Sequence, residues 1–289
     1  MVKKARFVFV KYQACGNDFI LKDEEKEKIP DKRKASLVKK LCNRNFGIGA
    51  DGILYIESSN KADARMRLFD REDEDQEALM CGNGIRCVAD YVCRKLKKNK
   101  IKIETGDGVK EIIKTGENYT VDMGRLRYTM NEMKKLVNYN FPDDEKLLDK
   151  EIKIPNLGVI KVSIVNSGDP HAVIFVDDID KVDINKYGKA ITENKELFPL
   201  GINVDVCEII NKNVIKVRTY EAGVYRETLA CGTGSTACAA VFRLTGKTKE
   251  DKIKVIVRGG ELIIEVKKNT MFMTGPAVPV YKGEIEINY

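Results

Sequence analysis

Two stretches of this 289-residue chain, CGNGIRCVADYVCRKL from Cys81 and CGTGSTACAAVFRLTG from Cys231, place a cysteine directly before a Gly-x-Gly turn that opens an apolar helical run. A cysteine at a helix start lies beside backbone N–H groups that have no intrahelical partner and at the positive end of the macrodipole. Both effects stabilise its thiolate and lower its pKa from about 8.5. The neighbouring glycines let a ligand approach the backbone, so the N–H groups of Gly82, Asn83 and Gly84 can cradle an anion, and those of Gly232, Thr233 and Gly234 can do the same. A carboxylate held between two such helix starts, with a sulfur on each side, suits one reaction. A proton leaves one face of the carbon next to the carboxylate and another is returned on the opposite face. One sulfur must be a thiolate base and the other a thiol acid. The helix ends stabilise the negative charge that grows as the carbon loses its proton, and no cofactor is required.

The elements that position these cysteines also occur twice. GNDFILKDE begins at Gly16 and GDPHAVIFVDD at Gly168, ARMRLFD precedes the first cysteine as IKVRTYE precedes the second, and VKEIIKTGENYTVDMG ends at Gly124 as GELIIEVKKNTMFMTG ends at Gly275. The landmarks keep one order at a spacing of 150–152 residues, which marks an internal duplication. Each half reads as alternating strands, a long helix opening at the cysteine, and a closing hairpin. The helical runs are GIRCVADYVCRKLKKN and GSTACAAVFRLTG, the second ending at Gly246 as a C-terminal cap. A further helix is expected over residues 31–45, and YTMNEMKKL and LFPLG read as short linking or capping pieces. The expected fold class is α+β, with two pseudo-symmetric domains, each a strand-rich sheet wrapped around a central helix, and the active site in the cleft between them. The halves are expected to span residues 1–125 and 126–275. The tail 276–289 returns to the first, because VYKGEIEI is a strand with no partner left in the second.

Composition narrows the function classes. The net charge is +7, but lysines are mixed with acids along most of the chain. The densest run, RKLKKNKIK, has no interleaved aromatics and reads as the solvated end of a helix, not a nucleic-acid surface. No apolar run is long enough to span a bilayer. The N-terminal MVKKARFVFVKYQ alternates as a strand does and lacks the features of a signal peptide. A soluble, cytoplasmic protein is therefore expected, with a small-molecule amino-acid substrate, no nucleic acid or membrane as partner, and a homodimer as the assembly to test. None of the eight cysteines forms a Cys-x-x-Cys pair and His171 is the single histidine, so no metal site is expected. Apart from the two at helix starts, the cysteines read as small buried hydrophobes.

The pieces KYQACGNDF, FGIGADGI, MCGNGIRC, GDPHAV, GINVDV, VRTYEAGV, ETLACGTGSTACAA and MTGPAVPVYKGEI together resemble the diaminopimelate epimerase family over essentially the whole chain. The resemblance implies a two-domain fold and epimerisation of an amino acid without pyridoxal phosphate, with Cys81 and Cys231 as the acid/base pair. It also implies that Asn17 and Glu221 hold the substrate's α-ammonium group, and that the turns with Gly82, Asn83, Gly232 and Thr233 hold its α-carboxylate. The simplest reaction is conversion of LL- to meso-diaminopimelate for lysine or cell-wall synthesis. At the far end of the substrate, Asn203 matches a family asparagine, but three features depart from the pattern. Gly168-Asp169-Pro170-His171 stands for Gly-Asn-Pro-His, and Tyr220-Glu221-Ala222-Gly223 for Tyr-Glu-Arg-Gly, so Ala222 replaces the arginine that would pair with a distal carboxylate. The acidic DREDEDQEAL stands for Asn-Ala-Asp-Gly-Ser. Arg226 or Arg71 reaching in from a nearby loop would restore the distal contact. Without that, Asp169 and the acidic loop favour a cationic side chain, giving a racemase of lysine, ornithine, arginine or histidine, with His171 near the site. A third reading, a non-catalytic amino-acid binding protein, leaves the paired cysteines without a purpose, since binding a carboxylate needs only backbone N–H groups.

Overall fold

The computed structural model describes residues 4–25, 27–71 and 77–288, so positions 72–76 of the acidic insertion lie outside the described residues. The chain forms two compact units, Met1–Val121 with Gly275–Tyr289, and Asp122–Thr274.

In the first unit the strands lie in the order Val278–Asn288, Lys4–Ala14, Asn17–Asp23, Gly52–Glu57, Ala64–Asp70, Lys100–Thr105, Gly108–Thr115 and the first residues of Asn118–Arg125. The first hairpin closes through Cys15 and Gly16, both at positive φ (52° and 82°), a backbone twist that suits a two-residue turn. Helix α1 (Asp31–Leu41) covers one part of the sheet. Helix α2 (Gly82–Leu96) packs against strands from both halves of the sheet and is buried on every side over most of its length. It sits within the core, and its polar Asn83, Arg86 and Asp90 are buried with it. It stops where Lys97 turns left-handed (φ 55°), and the basic run beyond it is exposed, as the sequence indicates.

The second unit repeats this order with Lys150–Ile154, Gly158–Asn166, Pro170–Val176, Asn203–Asn211, Val214–Glu221, Lys252–Val257, Gly260–Lys267 and Thr270–Pro276. In each unit the strand after the first hairpin joins in parallel, Phe19 opposite Gly52 and His171 opposite Asn203. A second parallel join follows one strand later, Ala64 opposite Ile103 and Val214 opposite Lys254. The short helices α3 (Met130–Met133) and α4 (Ile184–Thr192) precede the central helix α5 (Gly232–Leu244), which is buried through Phe242. Gly246 follows it at φ 72°. This is the α+β, pseudo-symmetric, helix-in-sheet architecture that the repeats imply.

Two local expectations need correction. The first helix ends at Leu41, not at residue 45, because the Asn43 side chain accepts from the N–H groups of Asn45 and Phe46 (2.9 Å each), a local turn that competes with helix continuation. Helix α4 has no counterpart in the sequence reading. Asp183 caps it by accepting from Asn185 and Lys186 N–H (3.1 and 3.2 Å), and its mid-helix Gly188 hides the helical signal. That glycine has a packing reason: a Cβ there would overlap the ring of Tyr220, the residue before Glu221. Gly188→Ala is therefore expected to destabilise the protein by about 1–3 kcal/mol, as overpacking does, despite the better helix propensity of alanine. Denaturant midpoints measure this, and a midpoint equal to or above wild type would contradict the contact.

Candidate active site

Each central helix begins at its cysteine with the same geometry. Cys81 is extended (φ −143°, ψ 122°) and its sulfur accepts the N–H of Gly84 at 3.3 Å. Cys231 is extended (φ −113°, ψ 118°) and its sulfur accepts the N–H of Gly234 at 3.4 Å. Each sulfur is thus the side-chain cap of its helix, at the positive end of the dipole. A side chain on the third residue would be crowded in both, because the helix start nearly touches the sheet beneath it. A Cβ on Gly84 would lie 3.1 Å from Leu54 Cδ2 and 3.6 Å from Phe19, and one on Gly234 would run into the carboxylate of Asp205.

That floor is where the two halves diverge. Phe19 and His171 hold equivalent places in the parallel strand pairs, as do Leu54 and Asp205. Beneath Cys81 the floor is apolar. Beneath Cys231 it is a fully buried polar chain, with both His171 and Asp205 at 0 % exposure. Asp205 Oδ2 accepts from His171 Nδ1 at 2.7 Å, and its Oδ1 accepts from the Thr219 hydroxyl at 2.7 Å. His171 Nε2 lies 3.0 Å from the hydroxyl of Thr233, which is 3.3 Å from the Cys231 sulfur and donates to Asp169 at 3.3 Å.

These surroundings set the charge of each group. Burial, reinforced by the carboxylates of Glu221 and Asp205, pushes the Cys231 thiol well above its ordinary value, against the smaller pull of Thr233 and the Gly234 N–H. The general rule that a helix start favours the thiolate is therefore overridden at this cysteine. For His171, burial opposes the charged ring, but Asp205, with Asp169 and Glu221 behind it, holds the pKa above 6.5. A raised histidine pKa stabilises the fold fully below its unfolded value, about 6.5, and that contribution is lost as pH rises through the higher folded value. Unfolding free energy measured across this range is expected to fall with rising pH in wild type, and to fall less in Asp205→Asn. Equal slopes would exclude the pairing as the source.

The structure groups most of the sequence-predicted residues, unit by unit. Around Cys81 it gathers Gly82, Asn83 and Asn17, with the Asn17 carbonyl oxygen 3.8 Å from the sulfur and 3.2 Å from Asn83 Nδ2. Around Cys231 it gathers Gly232, Thr233, Asp169 and His171. Glu221 ends its strand, accepts from the Thr228 hydroxyl at 2.5 Å and acts on the Cys231 sulfur electrostatically. Asn203 has a positioning task, its oxygen accepting the Ala222 N–H at 2.9 Å and its amide donating to Pro170 O at 3.1 Å. Arg226 sits opposite Glu221 in the short hairpin, with its side chain exposed. Asp205, Asp51 and Arg86 were missed. The signal for Arg86 was an arginine in the apolar run of a helix, and for Asp205 a carboxylate in the middle of an apolar strand.

The diaminopimelate epimerase family model matches residues 9–129 and 163–280. A diaminopimelate epimerase of Methanocella arvoryzae is 40% identical over 287 residues, covering 97% of both chains. One of Methanocaldococcus jannaschii is 38% identical over 294 residues, covering 96% of this chain and 98% of its own. Among solved structures, a probable proline racemase from Agrobacterium radiobacter aligns with a TM-score of 0.68 at 17% identity, over 96% of this chain and 92% of that one. A phenazine biosynthesis protein from Bacillus anthracis aligns with a TM-score of 0.67 at 17% identity, over 97% and 99%. The two solved structures share the fold. Among the described residues no helix is long and apolar enough to cross a membrane. With the cysteine-capped helices falling inside the two matched segments, and relatives aligned from end to end, the chain belongs to the diaminopimelate epimerase family and is an isomerase.

Proposed function

We propose that this protein inverts the α-carbon of an amino acid by a two-base exchange between Cys81 and Cys231. The observation that carries the reading is the pair of matched cysteine caps set in opposite electrostatic surroundings. Cys231, kept protonated by burial and by Glu221 and Asp205, is the acid. Cys81, which has the buried guanidinium of Arg86 on the next turn of its helix to offset a negative charge, is the base. The Cys81 thiolate takes the α-proton and becomes a thiol, while the Cys231 thiol delivers its proton to the opposite face and becomes a thiolate. The helix starts at Gly82–Asn83 and Gly232–Thr233 hold the carboxylate and stabilise the charge that spreads onto it. Asn17 and Glu221 supply oxygens for the α-ammonium.

The relatives' names point to diaminopimelate as the substrate, and the LL isomer, inverted at one of its two centres, is the form tested. A second reading, a basic amino acid, is favoured by one observation. The exposed Asp169 carboxylate forms no ion pair among the described residues, and Ala222 brings no charge to that end of the site. Incubation with LL-diaminopimelate, L-lysine, L-ornithine, L-arginine and L-histidine, followed by chiral chromatography, tests both readings. At least one is expected to be converted to its inverted form, the meso epimer for diaminopimelate or the D-enantiomer for the others, and conversion of none would remove the enzymatic proposal.

A further inference from the structure

In the first unit a row of side chains beside Cys81 runs with a single polarity. Arg86 Nη2 donates to Asn83 Oδ1 (2.9 Å), and Asn83 Nδ2 donates to Asn17 Oδ1 (3.2 Å). Asn17 Nδ2 donates to Asp51 Oδ2 (2.7 Å), whose other oxygen accepts from Arg44 (2.7 Å). A guanidinium can only donate and an ionised carboxylate can only accept. The orientation of an amide side chain is ordinarily ambiguous, because its two ends differ only in hydrogen bonding. Here each end of the row settles it independently. Arg86 draws the Asn83 oxygen and so turns its NH₂ toward Asn17, while Asp51 draws the Asn17 NH₂ and so turns its oxygen toward Cys81. The two determinations agree.

The internal repeat shows that Arg86 does more than hold the helix start. Its Nη1 donates to Gly82 O at 3.0 Å, and in the second unit the equivalent Thr236 makes the same bond to Gly232 O at 2.8 Å with a neutral hydroxyl. The bond to Gly82 needs no cation, and Arg86 also donates from Nε to Pro276 O at 3.2 Å. Burying a guanidinium completely is costly, and the position in the first unit keeps one at 0 % exposure. The second unit has no such row, since Asn83 and Asn17 correspond there to Thr233 and Asp169.

We propose that Arg86 and Asp51 are positioning residues that lock the Asn17 carbonyl oxygen beside the Cys81 sulfur as an acceptor for the substrate's α-ammonium. This rests on the reading of Asn17 as an ammonium-binding residue. Turned over, Asn17 would present its own NH₂ to the cation and repel it. In Asp51→Asn the residue at 51 can donate as well as accept, and Asn17 loses the constraint from that side.

The test measures KM and kcat of Asp51→Asn for LL-diaminopimelate, or for L-lysine if wild type turns that over. It also measures inhibition by pimelate, which lacks both ammonium groups of diaminopimelate, or by 6-aminohexanoate, which lacks only the α-ammonium of lysine. KM is expected to rise about tenfold or more, as loss of a hydrogen bond to a charged group does, with kcat within about threefold and the deaminated inhibitor bound as in wild type. Asp51→Glu, which keeps an acceptor-only group, is expected to recover part of the loss, and Arg86→Gln to resemble Asp51→Asn. A KM rise below about fivefold, or equal weakening of the deaminated inhibitor, overturns the proposal. Wild type that epimerises neither substrate removes the underlying functional reading instead, so the two failures are separable.

Discussion

Replacing Cys81 by alanine is expected to lower turnover by about 10³-fold or more, and replacing Cys231 to do the same, because each supplies proton transfer at one face and neither can cover the other. The fold should survive. Each sulfur caps a helix by accepting one N–H, so alanine costs about 1 kcal/mol, as loss of a cap does. Circular dichroism and a melting curve would register that as a small shift. Serine is a poor replacement, since its hydroxyl is far less acidic than a thiol and neither forms the base nor matches the acid. Either alanine variant keeping more than a few per cent of wild-type turnover, measured by chiral chromatography, would rule out the two-cysteine account.

The second large effect concerns the far end of the substrate. If a basic amino acid is turned over, Asp169→Asn is expected to raise KM by roughly 10- to 100-fold, because the substrate's cationic side chain loses a charge-assisted partner. Arg226→Ala should then change KM little. If diaminopimelate is the substrate, the pattern reverses. Ala222 offers no cation, so Arg226→Ala should be the damaging change, and Ala222→Arg should lower KM by restoring a bidentate carboxylate partner. Steady-state kinetics on the two variants and the two substrates decide the matter. Indifference of either substrate to both positions would remove these residues from the site.

Much of this was legible in the sequence, for physical reasons that vary by element. The central helices and their cysteine starts were clear, because an apolar period of 3.6 opening at a Gly-x-Gly turn has few other meanings, and the closing hairpins appeared where their alternation placed them. Helix α4 was hidden because its packing against Tyr220 demands a glycine that sequence reasoning counts against a helix. The difference between the two cysteines was also hidden. Phe19 and His171, and Leu54 and Asp205, stand at equivalent positions of the duplicated sequence, but only strand register shows that each pair lies under a helix start. Sequence alone called for one thiolate base and one thiol acid but gave both cysteines the same helix-start setting. Burial and two carboxylates set Cys231 apart by raising its pKa. Asp51 and Arg86 were passed over because their effect is on the orientation of another side chain, which no spacing rule records.

The central claim is that two different sulfurs handle the two faces of one carbon, and the most direct measurement is the isotopic content of the first product formed in D₂O. Turnover of the protonated substrate, followed by NMR and chiral separation during the first few per cent of reaction, distinguishes the routes. The two-base account predicts that the new epimer carries deuterium at its inverted α-carbon in nearly every molecule, because its proton comes from the exchanged Cys231 thiol. The unreacted substrate should still hold its own hydrogen. A product that retains the substrate's original hydrogen would show that one group carried the proton across, contradicting the account.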